Sequence, residues 1–162
     1  MTGNQDSGNG RIVVINPNSS DAVTNAMNIA LDPLRLDGGP HIDCVTMSEG
    51  PPGIETQEHV DDAVGRICQL VKDEAVGVDA FVIACFSDPG LRSARELTDV
   101  PVFGIAESAV SMASNYGQSF GVIAILPVID HHRGWTHRRT APVLIPTILC
   151  LMFGFWYGGD EG

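Results

Sequence analysis

Apolar positions up to Leu126 fall into short β-branched runs that alternate with stretches of helical spacing. Arg11 to Ile15 is the first such run and predicts a strand. The turn Asn16-Pro17-Asn18-Ser19-Ser20 ends in a capping Ser, and Asp21 to Leu31 then sets Ala22, Ala26, Ile29 and Ala30 on one helical face. After Gly38-Gly39-Pro40, His41 to Thr46 predicts a second strand, and Gly50-Pro51-Pro52-Gly53 makes the loop from Met47 to Ile54 a rigid crossing. The longest helix is expected over Glu55 to Glu74, with Val60, Ala63, Val64, Ile67, Leu70 and Val71 forming its stripe. Phe81 to Ala84 predicts strand three. Asp88-Pro89 is a helix-start signal, and Leu91, Ala94 and Leu97 follow at three-residue spacing. Val102 to Ile105 predicts strand four and Glu107 to Ala113 a helix, stopped by Asn115-Tyr116-Gly117 with Gly117 left-handed. Ser119 to Leu126 is expected as a fifth strand.

This alternation implies an α/β fold: a doubly wound parallel sheet, a Rossmann-like three-layer α/β/α lobe, over residues 11–128. Residues 1–10 are short, polar and rich in Gly and Asn, so disorder is expected there. The pattern breaks after Val128. His131, His132, Trp135, His137 and Arg138 crowd one stretch, both tryptophans lie beyond Asp130, and Ala141 to Tyr157 is apolar but contains Pro142 and Pro146. Residues 129–162 therefore read as a divergent tail. Its apolar run is short for a membrane helix and broken by proline, so a greasy edge is the plainer reading and a tail anchor the lesser one.

The chain has 162 residues, enough for a proper core, with 44% hydrophobic and 18% charged residues. Its net charge of -11 argues against nucleic acid and anionic membrane surfaces, which need a cationic footprint. The amino terminus lacks a basic start and an apolar stretch, so the cytoplasm is the expected compartment. Cys44, Cys68, Cys85 and Cys150 lack metal-ligand spacing; neither a metal site nor a disulfide framework is indicated, and free thiols are expected.

Cys85 holds the most chemistry. It ends a buried strand and faces the start of the next helix, a position where ligands bind in open α/β sheets and where a helix amino terminus favours a thiolate. A buried free Cys is also commonly an inert small hydrophobe, and spacing alone leaves both readings open. The charge of Asp88 would oppose a thiolate unless its carboxylate is absorbed by backbone amides. The asparagine turn occupies a second strand end and offers amides and a hydroxyl, although simple turn chemistry explains it as well.

Three motifs in order, Val14-Ile15-Asn16-Pro17-Asn18-Ser19, Gly50-Pro51-Pro52-Gly53-Ile54-Glu55 and Cys85-Phe86-Ser87-Asp88-Pro89-Gly90-Leu91, resemble the hydantoin/allantoin racemase branch of the aspartate/glutamate racemase superfamily. Pro101-Val102-Phe103-Gly104-Ile105-Ala106-Glu107 is similar to a further segment of that branch. The resemblance implies two similar lobes with the site between them, one acid/base cysteine from each, a small-molecule substrate and no cofactor. It implies that Cys85 is the catalytic cysteine of the first lobe. It also implies that Asn16, Pro17, Asn18, Ser19, Phe86 and Ser87 hold the substrate's ring or carboxylate. Asp88 and Glu107 then stand behind the site, Glu107 reading equally as a helix-starting acid.

The resemblance departs after the fifth strand, since no second-lobe cysteine motif follows and Cys150 lies in an apolar run without strand-loop-helix punctuation. A truncated or frame-shifted member is therefore expected. The implied activity is a cofactor-independent racemase or epimerase acting on hydantoins, allantoin or acidic amino acids. A one-cysteine decarboxylase or isomerase, or an inactive binding module, is the alternative. Exposed apolar surface at a missing lobe would favour a homo-oligomer.

Overall fold

The computed structural model describes residues 10–117 and 119–122. Four strands, β1 (Arg11–Asn16), β2 (His41–Thr46), β3 (Ala80–Ile83) and β4 (Val102–Gly104), form one sheet in the order β2-β1-β3-β4. All pairings are parallel, with Ile15 opposite Val45 on one side and Ile83 on the other. The chain leaves β1 toward β2 through α1 (Asp21–Leu31) and crosses back to β3 through α2 (Gln57–Glu74). It then reaches β4 through the short α3 (Leu91–Arg95) and continues into α4 (Ile105–Tyr116). Because crossovers keep one hand, reversing direction at β1 puts α1 on one face and α2 with α3 on the other.

Alternation along the strands feeds both faces. Val13, Ile15, Phe81, Ile83 and Val102 point into the larger core with Ala63, Ile67 and Val71 of α2 and Leu91 and Ala94 of α3. Val14 and Ile42 point the other way and meet Met27 of α1. The sheet is therefore covered on both sides, as parallel sheets require. The expected doubly wound α/β lobe is the fold found, and the α2 stripe buries Val60, Ala63, Ile67 and Val71.

Four local expectations are corrected. The Ala22, Ala26, Ile29, Ala30 face of α1 is the solvent face, with Ile29 73% exposed, whereas Thr24 and Met27 are buried. Hydrogen bonding decides this rotation: the Thr24 hydroxyl accepts from Asn16 Nδ2 at 3.0 Å and meets Thr46 Oγ1 at 2.6 Å, which turns a polar residue inward. The helix after β3 does not start at Asp88-Pro89. Its cap is Gly90 at φ 71°, with no capping side chain, because the Asp88 carboxylate is spent on the amides of Ala106 and Glu107. The helix ends at Arg95, leaving Leu97 outside it. At the far end of α4, Gly117 is extended at φ −164° rather than left-handed. Ser119 to Val122 form no strand, and the rest of the expected fifth strand lies outside the described residues, as do residues 1–9, Cys150 and the tail. No helix among the described residues is long and apolar enough to cross a membrane.

Candidate functional site

Two loops meet at the carboxyl edge of the sheet. Ala84 N donates to Ile15 O at 2.9 Å, so the loop leaving β3 starts alongside the asparagine turn leaving β1. Asn16 is fully buried. Its Nδ2 donates to Asn18 Oδ1, Ser20 O and Thr24 Oγ1 at 3.0, 3.1 and 3.0 Å, and its Oδ1 accepts from Asn18 N at 3.2 Å. Asn18 Oδ1 also accepts from Ser20 N at 2.9 Å. The polar atoms of Asn16 are thus engaged in holding the turn, and Pro17 is enclosed with it. Asn18 and Ser19 are half-buried on the outer side of the turn.

The proline crossing braces this turn from behind. Ser19 N donates to Pro51 O at 2.9 Å, and Gly50 sits so close that a Cβ there would lie 2.8 Å from Pro17 O and 2.9 Å from Met47 O. Only glycine fits without moving backbone.

Cys85 begins the β3 loop and is half-buried, with Sγ 3.2 Å from Ser87 Oγ. Burial pushes its thiol above the usual range and the Asp88 charge pushes the same way, while the Ser87 hydroxyl and amide pull it down. The net direction is upward, so Cys85 rests as the thiol at neutral pH. The helix that follows is short and begins only at Leu91. Cys44 and Cys68 are also raised by burial, but they lie on β2 and α2, away from this loop.

Asp88 does point at backbone amides, though not those of its own helix. Its Oδ1 accepts from Ala106 N at 3.0 Å and its Oδ2 from Glu107 N at 2.8 Å, capping α4 across the sheet edge. Gly104 makes room, since a Cβ there would stand 2.5 Å from both Asp88 oxygens. Glu107 is bound in turn by Arg95, whose Nη1 and Nη2 donate to its carboxylate at 3.1 and 2.8 Å. Arg95 also donates through Nε to Val102 O at 2.9 Å. This pairing holds the Glu107 carboxyl below the usual range, while burial raises that of Asp88.

The asparagine turn, the Gly50 loop and the Cys85 loop are thus one assembly at one edge. Comparison with known proteins decides what kind. The family described as Asp/Glu/hydantoin racemase matches residues 12–137. The chain belongs to that family. It is 45% identical over 123 residues to the hydantoin racemase of Pseudomonas sp. strain NS671, covering 74% of this chain and 48% of that one. It is 35% identical over 153 residues to the hydantoin racemase of Paenarthrobacter aurescens, covering 88% and 64%. Among solved structures, allantoin racemase from Klebsiella pneumoniae superposes with a TM-score of 0.60 at 40% identity, over 65% of this chain and 43% of that one. This racemase-family chain spans about half the length of the first of these relatives.

The residues that sequence reading missed are those that hold the loops. Thr24 and Thr46 carry no signal, being polar residues among others in their helix and strand. Arg95 reads as an ordinary helix-end cation. Gly104, a glycine inside the expected fourth strand, is the one that its position gives away. Two clefts, of about 330 Å³ between Arg35 and Ile42 and about 370 Å³ between Thr46 and Glu74, lie away from Cys85. Among the described residues no cluster of metal-ligating side chains occurs.

Proposed function

We propose that this chain contributes one face of a cofactor-independent racemase or epimerase site for hydantoin-type rings such as hydantoins or allantoin, with Cys85 as the acid/base group on that face. Support comes from the activities named for its relatives and, above all, from Cys85 standing half-buried at the strand end beside the asparagine turn with Ser87 on its sulfur. Asn18, Ser19, Phe86 and Ser87 are proposed to meet the substrate, with Asn16 and Pro17 fixing the turn that presents them.

A carbon flanked by a ring carbonyl loses its proton when the resulting enolate is stabilised. In the resting form Cys85 is a proton donor. Its S–H bond breaks as a C–H bond forms on the planar carbon, the electron pair stays on sulfur, and the Ser87 hydroxyl and amide steady the thiolate. Inversion then requires a base on the opposite face, outside the described residues. The reverse direction uses the same sulfur as base. A reducing cytoplasm suits a thiol that must stay reduced.

A one-cysteine decarboxylase of the same superfamily is the second reading, favoured by Cys85 being the one cysteine at this loop cluster among the described residues: carbon dioxide leaves and the thiol supplies the proton. Incubation of the 162-residue chain with an optically active hydantoin or allantoin in deuterated water separates the two. Racemisation with deuterium at the stereocentre and no carbon dioxide supports the racemase. Cys85→Ser is expected to lose about 100-fold or more of this exchange, the usual range for a positioned acid/base group. Exchange undiminished in that variant removes Cys85 from the mechanism.

A further inference from the structure

We infer that the Asp88 carboxylate is a positioning residue for Cys85, clamping the cysteine loop to the amino end of α4; the inference rests on reading Cys85 as the acid/base thiol. The loop turns through a left-handed Asp at φ 44°, a conformation that non-glycine residues adopt at a cost. Asp88 N donates to Cys85 O at 2.9 Å, and Asp88 O accepts from Leu91 N at 3.2 Å, so the backbone of Asp88 fixes the carbonyl of Cys85 on one side and the start of α3 on the other. Its side chain reaches 18 residues along the chain to Ala106 and 19 to Glu107. Two charge-assisted bonds to the free amides of a twelve-residue helix are enough to offset the strained turn.

The neighbours are arranged for this bridge. Gly104 leaves the space that the carboxylate fills, and Arg95 binds the Glu107 carboxylate while the Glu107 amide donates to Asp88. The charged groups around Asp88 are Glu107 and Arg95, and those acting on Cys85 are Asp88 and the neutral Ser87. Asp88 therefore does two things to the sulfur: it sets the loop that brings Sγ to Ser87, and its charge favours the thiol. Neither requires contact with substrate.

Cys85 alkylation by iodoacetamide against pH, read on the Cys85 peptide by mass spectrometry, tests this without reference to turnover. Asp88→Asn keeps the turn conformation and one acceptor but removes the charge; its Cys85 profile is expected to shift to lower pH. Asp88→Gly relaxes the turn and removes the clamp, so Cys85 is expected to alkylate several-fold faster even where the thiol is fully ionised. Gly104→Ala keeps the Asp88 charge and expels the carboxylate from the cap, and the same acceleration is expected without the charge effect. This variant serves if Asp88 variants do not fold. Where the wild type exchanges substrate, Gly104→Ala is expected to lower kcat about tenfold with KM nearly unchanged, the pattern of a misplaced reacting group. Wild-type alkylation profiles in Asp88→Asn and Gly104→Ala would overturn the inference. Shifted profiles in a chain that exchanges no substrate would leave the clamp standing and defeat the acid/base reading instead.

Discussion

Gly50 carries a residue-scale consequence that no property of its own side chain announces. A methyl group there meets two backbone oxygens, Pro17 O and Met47 O, neither of which can rotate away. Gly50→Ala is expected to cost about 1–3 kcal/mol, the usual penalty of overpacking, seen as a lower urea midpoint with an unchanged slope. Since Ser19 N is bonded to Pro51 O, displacement of this loop would also move the asparagine turn. Cys85 shows the same dependence on surroundings. Its strand-end position is a property of the local sequence, but its protonation state follows from desolvation and from Asp88 three residues on, both set by how the loop packs.

Helices show what patterning does and does not reveal. The α2 stripe was legible because six apolar residues at helical spacing stand among charged ones, and the helix packs with that stripe inward. In α1 the pattern misled, because small residues suit either face and Ala22, Ala26 and Ala30 bury little area when turned inward. Met27 and Thr24 won that contest, one by filling the space against Val14 and Ile42 and the other through its hydrogen bonds. Met27→Ala is expected to destabilise by about 2–5 kcal/mol, whereas Ile29→Gln on the solvent face should stay within about 0.5 kcal/mol. Urea unfolding of the two variants checks this, and a costly Ile29→Gln would mean that another surface covers that face. For α4, the missing information was its cap. Its own N-cap residue, Gly104, has no side chain to cap with, and Asp88 does so from a different loop.

Across the whole molecule, β1 lies between β2 and β3 and is the seam where both cores meet. Backbone amides of β1 and β3 are expected to be the slowest to exchange with deuterated solvent and those of β4, a three-residue strand at the edge of the sheet among the described residues, the fastest in the sheet. Equal protection in β4 would show that further chain pairs along its free edge. The order β2-β1-β3-β4 also explains why the asparagine turn and the cysteine loop are neighbours: they leave adjacent central strands at the same end, where the chain turns off in opposite directions.

Alternating β-branched runs and helical stripes were sufficient to give the parallel α/β lobe, the residues of its first four strands to within about one position, and the three motif-bearing loops at one edge, though not the expected fifth strand at Ser119 to Val122. Those features depend on neighbours within a few residues, which a linear pattern records. Packing alone decided which face of α1 is buried, that Asp88 serves α4 rather than α3, that Asn16 spends its amide on its own turn, and that burial pushes the Cys85 thiol up. Each of these turns on groups brought together from distant parts of the chain, or on water removed from around a charge, and neither quantity is written in local periodicity.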